Sequence, residues 1–504
     1  MHRSTDERQS AEFRISLAAA LASVVLSIVH ISFDPLPNPD GVVYLLAAQA
    51  WLDSGYSAAA SVYSRPLYSI LIAWVHGLSG MDLLTSARCL DTVLIACLIV
   101  ALQRLSAAVG GTVRVQAIVV VLALLLPELN GYRSFLLRDF GYWMFATLAL
   151  ACLVRYAHAP SAGRVLGFAL LCGAAAMFRA EAVPFVLLMP IALLFGPMRR
   201  PAAAAALYVP VAIVILVVGV AAIVASDAAL GNWIPTIVKN CVDLIHTVPE
   251  RLDEQVGAFA TRVLDPNFHD YAAFGLAGGL AAMIAVHVAN AASLPVSVIA
   301  ALGIAKRRCG LLDRRAVTIL WMAAGVTLLG LAGVLTARSL IQTRYAMPIA
   351  LLLVVVAAFV IEHWYTQVSP VPNRRRLNWA AALVLIYYAA EGGYGLLNSK
   401  QHFVGAANWL AHNAAPDARI FSDDLRILYL ADRPPDWRVQ PGAQIPPDGA
   451  LPVDRFDYWV VPASAWQSAE VDRFAAESRL REAARFVNKK GNVVVVYVTR
   501  RGGD

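Results

Sequence analysis

The sequence predicts a polytopic α-helical membrane protein with a small α/β domain at its C-terminal end. Three observations carry that prediction. The 504 residues are 59% hydrophobic and only 15% charged, whereas soluble domains are about a quarter charged. Apolar stretches near the length of about 20 residues that crosses a bilayer core recur from residue 15 to about residue 398. Beyond that point, short β-branched runs alternate with amphipathic segments.

The runs long enough to span, or nearly so, fall at about 15–33, 84–106, 115–130, 140–157, 164–178, 182–196, 202–225, 280–305, 316–336, 345–363 and 379–397, which predicts about eleven transmembrane helices. The first run follows MHRSTDERQSAEFR. It is longer than a signal-peptide core and no small-x-small cleavage site follows, so it reads as an uncleaved anchor behind a cytoplasmic tail, residues 1–14. With the N-terminus inside, the basic loops at Arg199-Arg200, Lys306-Arg307-Arg308 and Arg374-Arg375-Arg376 fall on one side, as the positive-inside bias requires. The expected location is a bacterial cytoplasmic (inner) membrane. An odd number of helices then puts the C-terminal domain outside.

Two long segments also fall outside, residues 34–83 and 226–280. Within the first, 41–53 and 66–78 are apolar, but 13 helical residues reach only about 20 Å, too short to cross. They are expected to lie in the interface, with Tyr44, Trp51 and Trp74 at headgroup depth. Residues 15–398 thus form the membrane domain and 399–504 the outer α/β domain. In that domain HFVGAANWLAHN reads as a helix, ARIFSDD and FDYWVVPAS as strands, SAEVDRFAAESRLREAARF as a helix and NVVVVYVTR as a strand. Asp423-Asp424 is placed to cap a helix starting at Leu425.

The formal net charge of +7 is spread over many short loops and forms no single basic face, which argues against a nucleic-acid partner. The six cysteines show no CxxC spacing, and no zinc site or disulfide is inferred. HExxH, GxSxG and Walker A motifs are absent.

The outer arginines run against the positive-inside bias and need another reason. Arg65, Arg133, Arg138, Arg179, Arg338 and Arg344 all stand at outer helix ends or in outer loops. Guanidinium forks suit phosphate, and a lipid-linked phosphate at the outer leaflet would account for the set. Snorkelling to the interface is the competing explanation for any one of them. Asp40, in PNPDG, has two compatible readings: N-cap of the following helix, or general base on a hydroxyl. Asp139 raises the same question beside Arg138, where a cap with an ion pair competes with a catalytic role. Glu181, two residues after Arg179, reads equally as a local ion pair or a ligand.

With these residues in view, the chain resembles the GT-C glycosyltransferases that use polyprenyl-phosphate sugars, in particular family 39, the protein O-mannosyltransferase and aminoarabinose transferase relatives. PDGVVYLLAAQAWLDSG resembles that family's acid-x-x-x-Tyr-x-x-x-Ala stretch, with Asp40, Tyr44 and Ala48 in step. SRPLYSILIAWVHGLSG is similar to its basic-Pro-Pro-Leu segment, with Arg65 as the basic residue and Leu67 at the second proline. RDFGYWMFATLAL resembles the Asp-bearing start of its fourth helix, TRYAMPIALLL its Arg-Tyr-x-x-Pro helix, and GAANWLAHNAAPDARIFSDDLRILYLADR the opening of the outer domain. A second acid often follows the family's first, and here that position is Gly41, so a divalent metal is left open and no ligand set is assigned.

The resemblance implies an inverting sugar transfer at the outer face, from a polyprenyl-phosphate-linked donor to a lipid, glycan or protein acceptor. Asp40 would be the base, with Asp139 the second catalytic acid. Arg65 and Arg138 would meet the departing phosphate and Asp139 would orient Arg138 or a substrate hydroxyl. Arg344 and Tyr345 would line the lipid side, with Tyr44, Arg133, Arg179 and Glu181 completing the substrate-binding set. Two other classes remain, a transporter or flippase for a lipid-linked sugar and a noncatalytic envelope assembly protein. The first would show repeated halves, which the sequence lacks, and the second would tolerate changes at Asp40.

Overall fold

The computed structural model describes residues 2–195, 199–224, 233–306, 313–367, 400–422, 424–433, 455–465 and 467–499, with scattered positions between 379 and 391. The chain divides into two compact units. The first comprises residues 1–28, 89–133 and 138–392, and the second residues 29–88, 134–137 and 393–504.

The helices in chain order are α1 (His2–Phe33), α2 (Pro39–Val62), α3 (Leu67–Ser79), α4 (Leu83–Ala108), α5 (Val113–Leu124), the single turn α6 (Pro127–Gly131), α7 (Asp139–His158), α8 (Ala162–Phe178) and α9 (Ala182–Leu188), which runs on into a 3-10 turn. They continue with α10 (Pro201–Val224), α11 (Trp233–Val263), α12 (Ala272–Ala292), α13 (Leu294–Ala305), α14 (Arg314–Arg338) and α15 (Thr343–Gln367). Six segments among the described residues are long and apolar enough to cross a membrane: Asp6–Phe33, α4, α7, Pro266–Ala292, Arg314–Ala337 and α15. Six further apolar helices of 10–17 residues accompany them. The molecule is a polytopic helical membrane protein with a small appended sheet.

Helix α1 shows why such a sequence folds in lipid. Ser16, Ala19, Ser23 and Ser27 face inward, each at most 9% exposed, while Leu17, Leu21, Val25 and Ile28 are more than half exposed. Small and hydroxylated residues let helices approach closely and hydrogen-bond, while the apolar face is left to lipid. Ser16 Oγ donates to Gln103 Oε1 (2.5 Å), Gln103 Nε2 to Gln116 Oε1 (3.0 Å) and Gln116 Nε2 to Glu12 Oε1 (3.0 Å), so these polar groups satisfy one another.

Several expectations need correction here. The expected span 280–305 is two helices, because Ser293 takes a positive φ of 65° and Pro295 opens the next helix. The first of those helices begins at Ala272, inside the segment expected as an outer loop, and Trp233–Val263 makes most of the rest of that segment helical as well. The span expected at 182–196 is a seven-residue helix followed by the 3-10 turn Met189–Leu194. Most of 379–397, the loops at Arg307-Arg308 and Arg374–Arg376, and Asp423 lie outside the described residues.

In the second unit, α2 and α3 form the expected helical pair. Helix α2 is longer than predicted, since it breaks at Gly55 (φ 78°) and resumes to Val62. Helix α3 ends at Gly80 in the left-handed conformation that glycine adopts without strain. The C-terminal part contains α16 (Gln401–Asn413), β1 (Ile420–Ser422), α17 (Leu425–Leu430), β2 (Tyr458–Ala463), α18 (Ser468–Glu477), β3 (Leu480–Val487) and β4 (Val493–Thr499). The strand order is β1-β2-β4-β3, with β1 parallel to β2 and the other pairs antiparallel. Asp424 caps α17 as expected, accepting from Arg426 N at 3.0 Å. The long helix expected over 468–486 ends at Glu477, and LREAARFV is an edge strand paired with β4. Its charges suit an exposed edge, and the hydrogen bonds offered by VVVVYV outweigh its helical pattern. One face of the sheet packs Phe421, Trp459, Val461 and Val495 against α18, and the other packs Val460, Val494 and Val496 against α16 and α17.

Candidate active site

Asp40 stands in the first turn of α2, half-buried. It is not the N-cap. Asn38 holds that position, and its Oδ1 accepts from Leu136 N at 2.8 Å. A carboxylate within the first turn still complements the helix dipole. Gly41 beside it is required by packing, because a Cβ there would lie 2.7 Å from Asn38 Oδ1 and 2.9 Å from Leu136 Cβ. The position where the family often has a second acid therefore has no room for a side chain. Among the described residues no group of three or more His, Cys, Asp or Glu could hold a metal ion.

One turn on, Tyr44 is 5% exposed and wedged edge-on between Tyr63 and Tyr68, with both ring centroids at 5.1 Å. Its ring ties α2 to α3. Arg65 sits half-exposed in the turn between those helices.

In the first unit, Asp139 opens α7, with Arg138 at the N-cap. Asp139 is 2% exposed and forms an ion pair with Arg179, whose other terminal nitrogen binds Glu181. Of the two readings open for Glu181, the structure shows the local ion pair with Arg179. The Asp139–Arg179 pair was not expected from the sequence. Gly141 makes it attainable, since a Cβ there would lie 2.4 Å from the ring of Phe178, the residue before Arg179. The α7–α8 approach thus depends on a missing side chain two residues past Asp139. The Arg179 guanidinium lies 4.9 Å above the ring of Tyr345, and Arg344 approaches the same ring at 5.6 Å. Desolvation at this turn opposes ionisation of Glu181, whose side chain is 40% exposed, but Arg179 overrides it and holds the carboxyl below the usual carboxylate range. Flanked by two carboxylates, Arg179 has its own pKa raised despite burial.

Arg133 is directed elsewhere. It is 1% exposed, donating through Nε to Asn130 Oδ1 (2.7 Å) and through Nη1 to Ser23 O (2.9 Å) and Ser27 Oγ (2.7 Å). Those bonds dock the α6–α7 connection onto α1. Sequence reasoning passed over Tyr132 and Glu128, which share a 2.5 Å hydrogen bond on that connection, with Tyr132 beside Trp143. The spacing of four across a proline-started turn was the available signal.

No protein-family model matches the sequence, and no curated protein matches it. Solved structures do match. The archaeal oligosaccharyltransferase AglB from Archaeoglobus fulgidus, in complex with an inhibitory peptide and a dolichol-phosphate, aligns over 97% of this chain and 74% of its own at 14% identity with a TM-score of 0.56. The apo crystal structure of the Archaeoglobus fulgidus oligosaccharyltransferase aligns over 81% of this chain at 14% identity and a TM-score of 0.48, and the chain spans 58% of that protein. ArnT from Cupriavidus metallidurans bound to undecaprenyl phosphate aligns over 97% of this chain and 99% of its own, at 14% identity and a TM-score of 0.41. On the strength of the AglB match, this chain has the fold of the GT-C membrane glycosyltransferases.

Proposed function

We propose that the chain transfers a sugar from a polyprenyl-phosphate-linked donor to an acceptor at the outer face of a bacterial cytoplasmic membrane, with inversion and with Asp40 as general base. The observation that carries this reading is a half-buried carboxylate in the first turn of α2, in a chain with the GT-C fold. Dolichol-phosphate on AglB motivates the choice of a polyprenyl-phosphate carrier. Asp40 takes the proton from the acceptor hydroxyl or amine as that atom bonds to the anomeric carbon. The bond from that carbon to the phosphate oxygen breaks, and the polyprenyl phosphate leaves with the electron pair. A phosphate leaving group needs no proton, so the second requirement is cationic stabilisation. Arg65, Arg138 and Arg344 are assigned to it, with Tyr345 on the lipid side. Asp139, Arg179 and Glu181 form a pre-organised clamp that orients rather than exchanges protons. The N-terminus is placed in the cytoplasm and the α/β domain outside.

The test is mass spectrometry of envelope lipids and glycans from a deletion strain. A species heavier by one sugar residue, lost on deletion and restored by the wild-type chain, is expected. An unchanged envelope glycan profile would remove the transferase reading.

A further inference from the structure

The segment leading into Asp40 is held by the C-terminal domain. Leu36, four residues earlier, is 1% exposed and belongs to that domain's hydrophobic core, with Phe403, Leu410, Ile427, Val460 and Val494. Asp34 Oδ2 accepts from Lys400 Nζ at 2.9 Å across 366 residues of sequence, and the same ammonium stands 5.2 Å from the ring centre of Phe135. The carbonyl of Pro35 accepts from Arg88, and Asn38 Oδ1 from Leu136 N. Helix α17 packs directly on α2.

The arm between these anchors and Asp40 is stiff. Pro35, Pro37 and Pro39 each fix φ, and Asn38 is extended at φ −74°, ψ 161°, close to polyproline II. A displacement at Leu36 or Asp34 is therefore passed along the arm to the carboxylate, and a shift of about 1 Å at a reacting group can cost about a hundredfold in rate.

We infer that the C-terminal α/β domain sets the pose of Asp40, with Leu36 and Lys400 as positioning residues. This rests on the reading of Asp40 as the base. Leu36 plugs the arm into the domain core and Lys400 fixes its start through Asp34. Neither side chain is assigned to substrate, so their loss slows transfer and leaves capture of the lipid phosphate intact.

The 504-residue chain is tested as Lys400→Met, Lys400→Arg, Leu36→Ala and the charge exchange Asp34→Lys with Lys400→Asp, with Asp40→Asn in parallel. Product is measured by mass spectrometry in the complemented deletion strain at matched membrane levels. Binding of undecaprenyl phosphate is measured on the purified chain. Lys400→Met and Leu36→Ala are expected to lower product at least tenfold with affinity held within twofold. Lys400→Arg and the charge exchange are expected to recover at least half. Should Leu36→Ala fail to accumulate, Lys400→Met decides. Wild-type product from Lys400→Met, a parallel loss of undecaprenyl phosphate binding, or no recovery by Lys400→Arg would overturn the inference. Full transfer by Asp40→Asn would instead overturn the base assignment, so the two failures are distinct.

Discussion

Asp40 and Asp139 each stand in the first turn of an α-helix, and their surroundings differ. Asp139 is 2% exposed, clamped by a buried arginine that also binds Glu181 and stacks on Tyr345. Asp40 is half-buried, at the end of a proline-stiffened arm and beside a glycine that packing forbids to grow. A carboxylate committed to an arginine has little capacity to take up a proton, because doing so would strand the guanidinium without its counter-charge. A carboxylate within reach of solvent, on a fixed support, suits proton exchange with an incoming acceptor. On the proposed reading, the same residue type in the first turn of a helix thus serves two purposes, decided by what packs around it.

The largest expected effect is at Asp40. Asp40→Asn should lower transfer by about 10²–10⁴-fold, the usual worth of a general base, with no loss of folded protein. Arg179→Met should act on the other side of the comparison. It leaves Asp139 buried without its partner, and a destabilisation of about 3–5 kcal/mol is expected, read as a lower melting temperature in detergent. Adding Asp139→Asn to that variant should recover part of the loss, and no recovery would break the clamp assignment. Gly41→Ala should cost about 1–3 kcal/mol by overpacking against Asn38 and Leu136, again read by melting. An unchanged melting temperature would show that the position tolerates a side chain. The smallest effect is expected at Arg65, half-exposed in its turn. Arg65→Ala should weaken undecaprenyl phosphate binding about tenfold, near the 1.5 kcal/mol lower end for a hydrogen bond to a charged group.

Much of the fold was legible because lipid imposes a simple length and composition rule on spanning helices. The rule failed where local chemistry intervened. Ser293-Leu294-Pro295 splits an apolar run that length alone reads as one helix, and LREAARFV reads as helical until VVVVYV presents its hydrogen-bonding edge. In the candidate site, Arg179–Glu181 could be read from a spacing of two, while Asp139–Arg179 spans 40 residues and depends on the absent Cβ of Gly141. Arg133 looked like the other outer arginines, and only its burial against Ser23 and Ser27 separates it from them. Leu36 carried no signal, since one leucine between prolines says nothing about which core will receive it.

The central claim is that Asp40 carries the proton transfer. Its most direct test is the amount of glycosylated product in the deletion strain complemented with Asp40→Asn, at membrane levels matched to wild type. The expected result is at most about 1% of the wild-type product, the lower bound for losing a general base. Product near the wild-type level would contradict it.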